Sequence, residues 1–382
     1  MRHGDDGVRP EPGGMGPGLV RDNLLSMSSS HSSPVSFVRP AIDARLAGFV
    51  QRRRPEVLEI GAELAPLLDS LDSMLTGGKR LRPAFCYWGW RGAGGEDVPE
   101  IYAAAASLEF LQACALIHDD VIDNSDTRRG LPAVHRQLAA LHADAGWDGG
   151  SLEFGRGAAV LLGDLCLAWS DEMYQASGLP ADALSAGRGP FDLMRTEVMA
   201  GQYLDLVEQA RGADSVEASL RVMRYKSAKY TVERPMHLGA ALAGRGVELA
   251  PVYSAYGIPL GIAFQLRDDV LGVFGDPELT GKPAGDDLRE GKRTLIVAET
   301  LSRAKAAETR RFRDLLGDPG LSAEDVEWMR DVIVDSGALA ACEQRIDDYV
   351  GEATTALESD LIAEEARSAL ADLIVAATAR KH

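Results

Sequence analysis

Two groups of carboxylates set the chemical question this chain poses. Asp119, Asp120 and Asp123 close one long apolar segment, and Asp268 and Asp269 close a second. Asp119 and Asp123 are four residues apart, which on a helix puts both on one face, about 6 Å apart along the axis. Burying two such groups side by side is costly unless a cation completes the site, and an all-oxygen donor set suits Mg²⁺. A solitary DDxxD is also what an acidic helix end facing solvent looks like. The second acidic pair separates the two readings, because Gly281-Lys282-Pro283 and Gly291-Lys292 follow it and alternate lysine with acid.

Basic clusters accompany the acids: Gly77-Gly78-Lys79-Arg80-Leu81-Arg82-Pro83, Thr127-Arg128-Arg129-Gly130, Lys226-Ser227-Ala228-Lys229-Tyr230, and Lys282 with Lys292. Arginine offers planar paired donors and lysine a compact charge, both suited to phosphate oxygens. Any single pair is equally a solvated loop charge. Together with two carboxylate clusters they describe a site for a metal-bound diphosphate.

These residues need rigid carriers. From Ile101 to Leu116 nearly every residue is a helix former, with Ala104, Leu108, Leu111 and Ala115 recurring at intervals of three and four, so a long buried helix is expected to end in the first acidic motif. The run Tyr256 to Leu266 does the same for the second. Leu339, Cys342, Ile346, Tyr349, Val350, Ala353 and Leu357 form a third stripe, on a helix expected to start after Ser336-Gly337. Alternating β-branched runs are absent, so the fold class is all-α. Gly92 to Gly95, Gly146 to Gly157 and Gly187 to Pro190 read as loops. Residues 1–37, rich in Gly, Pro and Ser, read as a disordered tail, and 38–382 as one domain.

The chain has 382 residues, 46% of them hydrophobic, and a formal charge of -18. That charge argues against a nucleic-acid binder that neutralises phosphates over its whole surface. Cys86, Cys114, Cys166 and Cys342 stand singly in apolar surroundings and read as buried free thiols of a reducing cytosol, with neither a disulfide nor a zinc site. No apolar run reaches the roughly 18 residues that span a bilayer, and no signal-peptide core is seen, so a cytoplasmic protein without a transmembrane segment is expected.

The arrangement resembles the trans-isoprenyl diphosphate synthases, or polyprenyl synthetases, and most resembles the bacterial geranylgeranyl members. GGKRLRP is similar to that family's isopentenyl diphosphate loop. Asp119-Asp120-Val121-Ile122-Asp123 with Arg128-Arg129-Gly130 resembles its first aspartate-rich motif, in the short form. Phe264-Gln265-Leu266-Arg267-Asp268-Asp269 through Gly291-Lys292-Arg293-Thr294 resembles the second, Gly201-Gln202-Tyr203-Leu204-Asp205 its GQxxD element, and Gln112 stands where the family contacts diphosphate. One position departs: the second motif is usually DDxxD, and residue 272 is Gly. Ser227 replaces the common Thr and keeps the hydroxyl.

The resemblance implies an isoprenoid synthase helical bundle with a central cavity, working as a homodimer on isopentenyl diphosphate and an allylic diphosphate. It implies that Asp119 and Asp123 bind two Mg²⁺ ions and Asp268 a third, with Mn²⁺ able to substitute. Arg128, Lys226 and Lys282 draw charge from the leaving diphosphate; Lys79, Arg82 and Arg129 hold isopentenyl diphosphate; Gln112, Ser227, Gln265 and Lys292 complete the substrate contacts. Released diphosphate takes the final proton, so no protein base is needed and His118 is structural. Cys114 and Ala115, one turn before Asp119, are small where farnesyl-forming members have aromatics. The tail pocket is therefore expected to reach a floor at Leu111 or Leu108 and to give geranylgeranyl diphosphate, with farnesyl or longer polyprenyl products as alternatives. A class I terpene cyclase would need a different second acidic motif and has no use for GGKRLRP. The non-catalytic subunit of a heteromeric synthase would show degraded acidic motifs, whereas here only Gly272 departs.

Overall fold

The computed structural model describes Met1 and residues 33–212, 215–275, 285–318 and 320–378. Lys282 and most of the expected N-terminal tail lie outside the described residues. Helix α1 (Pro34–Ile60) begins inside the stretch assigned to that tail and buries Pro34, Val38 and Ile42. It is followed by α2 (Ala65–Leu75), α3 (Leu81–Gly92) and α4 (Pro99–Ile122). Buried residues on α4 include Ile101, every residue from Ala103 to Leu111, and Cys114 and Ile117, as expected of a helix that is apolar all round. Its alanines let neighbours approach closely, above all α6 (Ser151–Gln175).

An antiparallel pair, β1 (Thr127–Arg128) and β2 (Leu131–Pro132), interrupts the helices after α4. Its turn residues Arg129 and Gly130 both have positive φ, 55° and 77°, which a tight hairpin requires. After α5 (Val134–Asp144) and α6 comes α7 (Ala181–Arg211), then α8 (Val216–Val222). The chain then forms a π-helix, Met223–Glu233, an uncommon conformation often found at functional sites. Next come α9 (Arg234–Leu242), α10 (Gly246–Phe274), α11 (Asp286–Arg289), α12 (Leu295–Arg303), α13 (Ala306–Leu315), α14 (Ala323–Asp335), α15 (Ala338–Ala356) and α16 (Glu364–Thr378). The expected start of α15 after Ser336-Gly337 is observed, with Gly337 at φ 77°.

One expected loop is helical throughout and another in its second part, since 146–150 is a loop and the helix starts at Ser151. Gly155 and Gly157 lie inside α6, and Gly187 to Pro190 inside α7. At two of these glycines the reason is packing: a Cβ on Gly155 would stand 2.2 Å from the His135 carbonyl oxygen, and one on Gly187 2.5 Å from the Tyr174 hydroxyl. The same device holds the π-helix. A Cβ on Gly201 of α7 would meet the Lys226 nitrogen at 2.5 Å, and one on Gly261 of α10 would meet Ala228 Cα at 2.4 Å.

Against the sequence expectation, α4 and α10 are long and apolar enough to cross a membrane, with mean hydropathy 1.3 and 1.2. A window average tolerates the few polar residues that break an apolar run. Their most apolar windows are 72% and 50% buried inside the bundle, so core packing accounts for their hydropathy. All four cysteines are free and buried. Gly261→Val should overpack the contact with the π-helix and lower stability by about 1–3 kcal/mol, read as a shift in the denaturant midpoint.

Candidate active site

The ends of α4, α7, the π-helix and α10 converge on a cavity of about 1020 Å³. Asp119, Asp123, Asp268 and Asp269 line it together with Lys79, Arg82, Gln112, Arg128, Lys226, Ser227, Gln265 and Lys292. Leu111, Cys114 and Ala115 lie in the same wall, on the helix that ends in Asp119.

Around Asp119 the acids are balanced by cations from other elements. Lys226 Nζ donates to Asp205 Oδ2 at 2.7 Å and to Asp119 Oδ1 at 3.2 Å. Gln202 Nε2 donates to the same Asp119 oxygen at 2.8 Å, and the Arg128 guanidinium stands 3.6 Å from its Oδ2. Against the cost of burial, Lys226, Arg128 and Lys292 hold the Asp119 carboxyl below its ordinary range. Likewise, despite burial, Asp119 and Asp205 hold the Lys226 ammonium above its own. Asp123 has a different balance: burial, then the like charge of Asp119, push it up to about 6. Burial pushes Asp269 further, to about 8, even though Gln265 Nε2 donates to it at 2.8 Å.

Arg128 Nε donates to the buried Asp120 at 2.9 Å, and its NH2 reaches the same oxygen. The second acid of DDxxD thus anchors the arginine rather than facing the cavity. The hairpin explains why Arg128 and Arg129 diverge. Arg128, on β1, enters the cavity; Arg129, in the turn, is absent from its lining and donates to the carbonyls of Met74 and Thr76 at 3.2 and 3.3 Å. Arg129 thus stands against Gly78 of the GGKRLRP loop, next to Lys79, and outside the cavity lining itself.

GGKRLRP divides its cations similarly. Gly77, Gly78 and Arg80 all have positive φ, so the loop turns tightly into α3. Arg80 is buried and paired with Asp43 at 2.7 Å and Glu109 at 2.5 Å, fastening the loop to α1 and α4. Lys79 and Arg82 are left facing the cavity. Lys79 stands 5.5 Å from the Phe264 ring; Arg82 stacks 4.1 Å from that of Tyr230 and donates to Thr231 Oγ1 at 2.8 Å. Among the described residues the buried Arg82 Nε has no hydrogen-bond partner, a donor still to be satisfied in a cavity lined by cations. Tyr230 hydroxyl donates to Gln112 at 2.9 Å, and Ser227 to Gln265 at 2.7 Å. His118 Nε2 lies 3.1 Å from the Val160 carbonyl, in the space left by Gly163.

Sequence reasoning quoted Gln202 and Asp205 without giving either a role, although their i, i+3 spacing put both on one face. Asp287 and Tyr230, which also line the cavity, carried no signal of their own. Among the described residues no three acids, histidines or cysteines already form a metal cluster. Mg²⁺ takes one or two carboxylates and completes its shell with water and substrate phosphate. Paired acids at the cavity wall offer the carboxylates, and the basic groups around them can hold the phosphate that would complete such a shell.

Residues 65–333 match the polyprenyl synthetase family. The chain belongs to that family. It is 34% identical over 314 residues to a geranylfarnesyl diphosphate synthase of Aeropyrum pernix, covering 80% of this chain and 92% of that protein. It is 32% identical to a geranylgeranyl diphosphate synthase of Saccharolobus solfataricus over 67% of this chain and 73% of that one. The crystal structure of a geranylgeranyl pyrophosphate synthase from Corynebacterium glutamicum, complexed with isoprenyl diphosphate and magnesium, superposes with a TM-score of 0.87 at 42% identity, covering 91% of this chain and 99% of that one. This polyprenyl synthetase is a trans-prenyltransferase that uses a divalent metal and isoprenyl diphosphates. Arg128→Met should remove the guanidinium partner of buried Asp120 and cost about 3 kcal/mol of stability in addition to activity, measured by denaturant titration.

Proposed function

We propose that the enzyme joins isopentenyl diphosphate head-to-tail to an allylic diphosphate and releases mainly geranylgeranyl diphosphate. The observation that carries this reading is one cavity with paired acids and phosphate-type cations at its mouth and Leu111, Cys114 and Ala115 along the wall below Asp119. Asp119 and Asp123 would hold two Mg²⁺ ions and Asp268 a third, with Mn²⁺ able to replace them. Bound ions stabilise the negative charge that develops on the leaving diphosphate. Arg128 and Lys226 add donors to that diphosphate, and Lys282 is assigned the same task on its motif alone. Lys79 and Arg82 hold isopentenyl diphosphate, and Gln112, kept in place by Tyr230, orients it. Apolar neighbours Leu116, Val198 and Met199 exclude water from the allylic cation while the alkene attacks. The departed diphosphate accepts the proton.

Small side chains at Cys114 and Ala115 leave room for a tail beyond the farnesyl stage, and a floor at Leu111 admits one further isoprene unit. The likeness to a geranylfarnesyl diphosphate synthase favours, as a second reading, a product one unit longer. Exposed apolar residues on α6 and α7, among them Val160, Leu161 and Leu193, support a homodimer. Burial of α4 and α10 supports core helices rather than membrane spans, and four free cysteines support a reducing compartment such as the cytoplasm.

Turnover should vanish in EDTA and return with Mg²⁺ or Mn²⁺, and Asp119→Ala or Asp268→Ala should each lower it by several orders of magnitude. Near-normal turnover of the chelated enzyme would overturn the metal assignment. Ala115→Phe should raise the floor and shift the product to farnesyl diphosphate or shorter, read by chromatography. An active variant with an unchanged product would show that the tail does not run along this face of α4.

A further inference from the structure

The π-helix Met223–Glu233 keeps two kinds of company. Lys226, Ser227 and Tyr230 line the cavity, whereas Lys229 and Glu233 do not and are buried away from it, at 7% and 2% exposure. There they meet a closed set of charges. Lys229 Nζ stands 3.0 Å from Glu197 Oε1 of α7 and 3.1 Å from Glu233 Oε2. Arg234, the first residue of α9, grips Glu197 with two donors, Nε to Oε2 at 2.6 Å and Nη2 to Oε1 at 2.9 Å. Ser254 of α10 donates to Glu233 Oε1 at 2.6 Å. Arg234 Nη1 also donates at 2.9 Å to His237 Nδ1, whose Nε2 faces the Ala250 carbonyl at 3.1 Å, so this histidine is neutral and the two acids balance the two bases. Despite burial, Arg234 and Lys229 hold the Glu197 carboxyl below its ordinary range.

A buried set of this kind is a weak source of stability, because the cost of drying four charges can exceed what their attraction returns. Its use is register. A π-turn carries one residue more than an α-turn, so a segment that relaxed to α-geometry would rotate Lys226 relative to Arg234. Gly201 and Gly257 let the backbone of the π-helix close on α7 and α10: Cβ atoms on them would stand 2.5 Å from the Lys226 nitrogen and 2.8 Å from Glu233 Cα. Close approach sets a distance and leaves the rotation open. We propose that the buried set Glu197, Lys229, Glu233 and Arg234 fixes that rotation and so aims Lys226 at the leaving diphosphate. Glu197, which holds both Lys229 and Arg234, is the hub. Glu197 and Glu233 are thus positioning residues that act through Lys226 and touch no substrate, and the inference rests on the role given above to Lys226.

The test asks whether Glu197 matters only while Lys226 is present. Single-turnover rates of the full-length enzyme, with Mg²⁺ and both substrates saturating, are measured for Glu197→Gln, Lys226→Met and the double variant, with thermal unfolding as a check on folding. Glu197→Gln, which keeps the shape and removes the charge, should slow the reaction by about 100-fold, the scale of a misplaced catalytic group. The Michaelis constant for isopentenyl diphosphate should stay unchanged, since Lys79 and Arg82 belong to another element. In the Lys226→Met background the same substitution should cost almost nothing further. Ser254→Ala, the milder variant, removes only the donor to Glu233 and should show a smaller loss with the same dependence on Lys226, which keeps the test open if Glu197→Gln does not fold. Equal losses in both backgrounds would overturn the inference, as would a wild-type rate in folded Glu197→Gln or an equal rise in the Michaelis constant for isopentenyl diphosphate. A wild-type rate in Lys226→Met would instead overturn the role of Lys226 on which it rests.

Discussion

Repulsion among carboxylates gathered in one partly buried cavity is the constraint on which this molecule depends. At an effective dielectric of about 20, two like charges 4 Å apart repel by about 4 kcal/mol, comparable to much of a protein's net stability. Asp119, Asp123, Asp205, Asp268, Asp269 and Asp287 all line that cavity. Flexible loops would let such groups drift apart, so four of them ride near the ends of α4 and α10, whose apolar faces are fixed by core packing. Cations come from elsewhere: Arg128 from a hairpin, Lys226 from a π-helix, Lys292 from the turn after α11. A chain with net charge -18 concentrates several of its basic residues where its acids are closest.

Much of this was legible because the chemistry fixes residue types at fixed spacing. Asp119 and Asp123 at i, i+4, the apolar run before them and the doubled acid at Asp268 together specify helices, a cavity and a cation. What stayed illegible is orientation. Nothing in the string Arg128-Arg129 says that the first points into the cavity and the second braces the loop below it; only the hairpin turn decides. In Lys79-Arg80-Leu81-Arg82 the middle arginine is as basic as its neighbours, yet it is spent on Asp43 and Glu109. Asp287 comes from a segment with several acids and no distinguishing pattern, so nothing in the sequence singles it out for the cavity wall.

Glycine was misread for a single physical reason. Sequence reasoning treated Gly155, Gly157 and Gly187 as breaks, since glycine weakens an isolated helix by about 1 kcal/mol relative to alanine. In a bundle that cost is offset where two backbones must nearly touch. Gly201 and Gly261 do this on opposite sides of the π-helix. The widened turns, which place Lys226, Ser227 and Tyr230 on the cavity, are thereby clamped between α7 and α10.

The contact between Lys226 and Asp119 has a thermodynamic corollary. Before any ion arrives, Asp119 already has a counter-cation in Lys226, and Lys226 is shared with Asp205. An ion that binds Asp119 must compete with that ammonium, and a diphosphate offers the displaced ammonium a new anion. Each ligand thus relieves a cost imposed on the other, and by reciprocity the strengthening of metal by substrate equals that of substrate by metal. On the proposed metal assignment, an enzyme built this way would draw little free metal into an empty site, and its ions and its isoprenyl diphosphate would enter as one cooperative set.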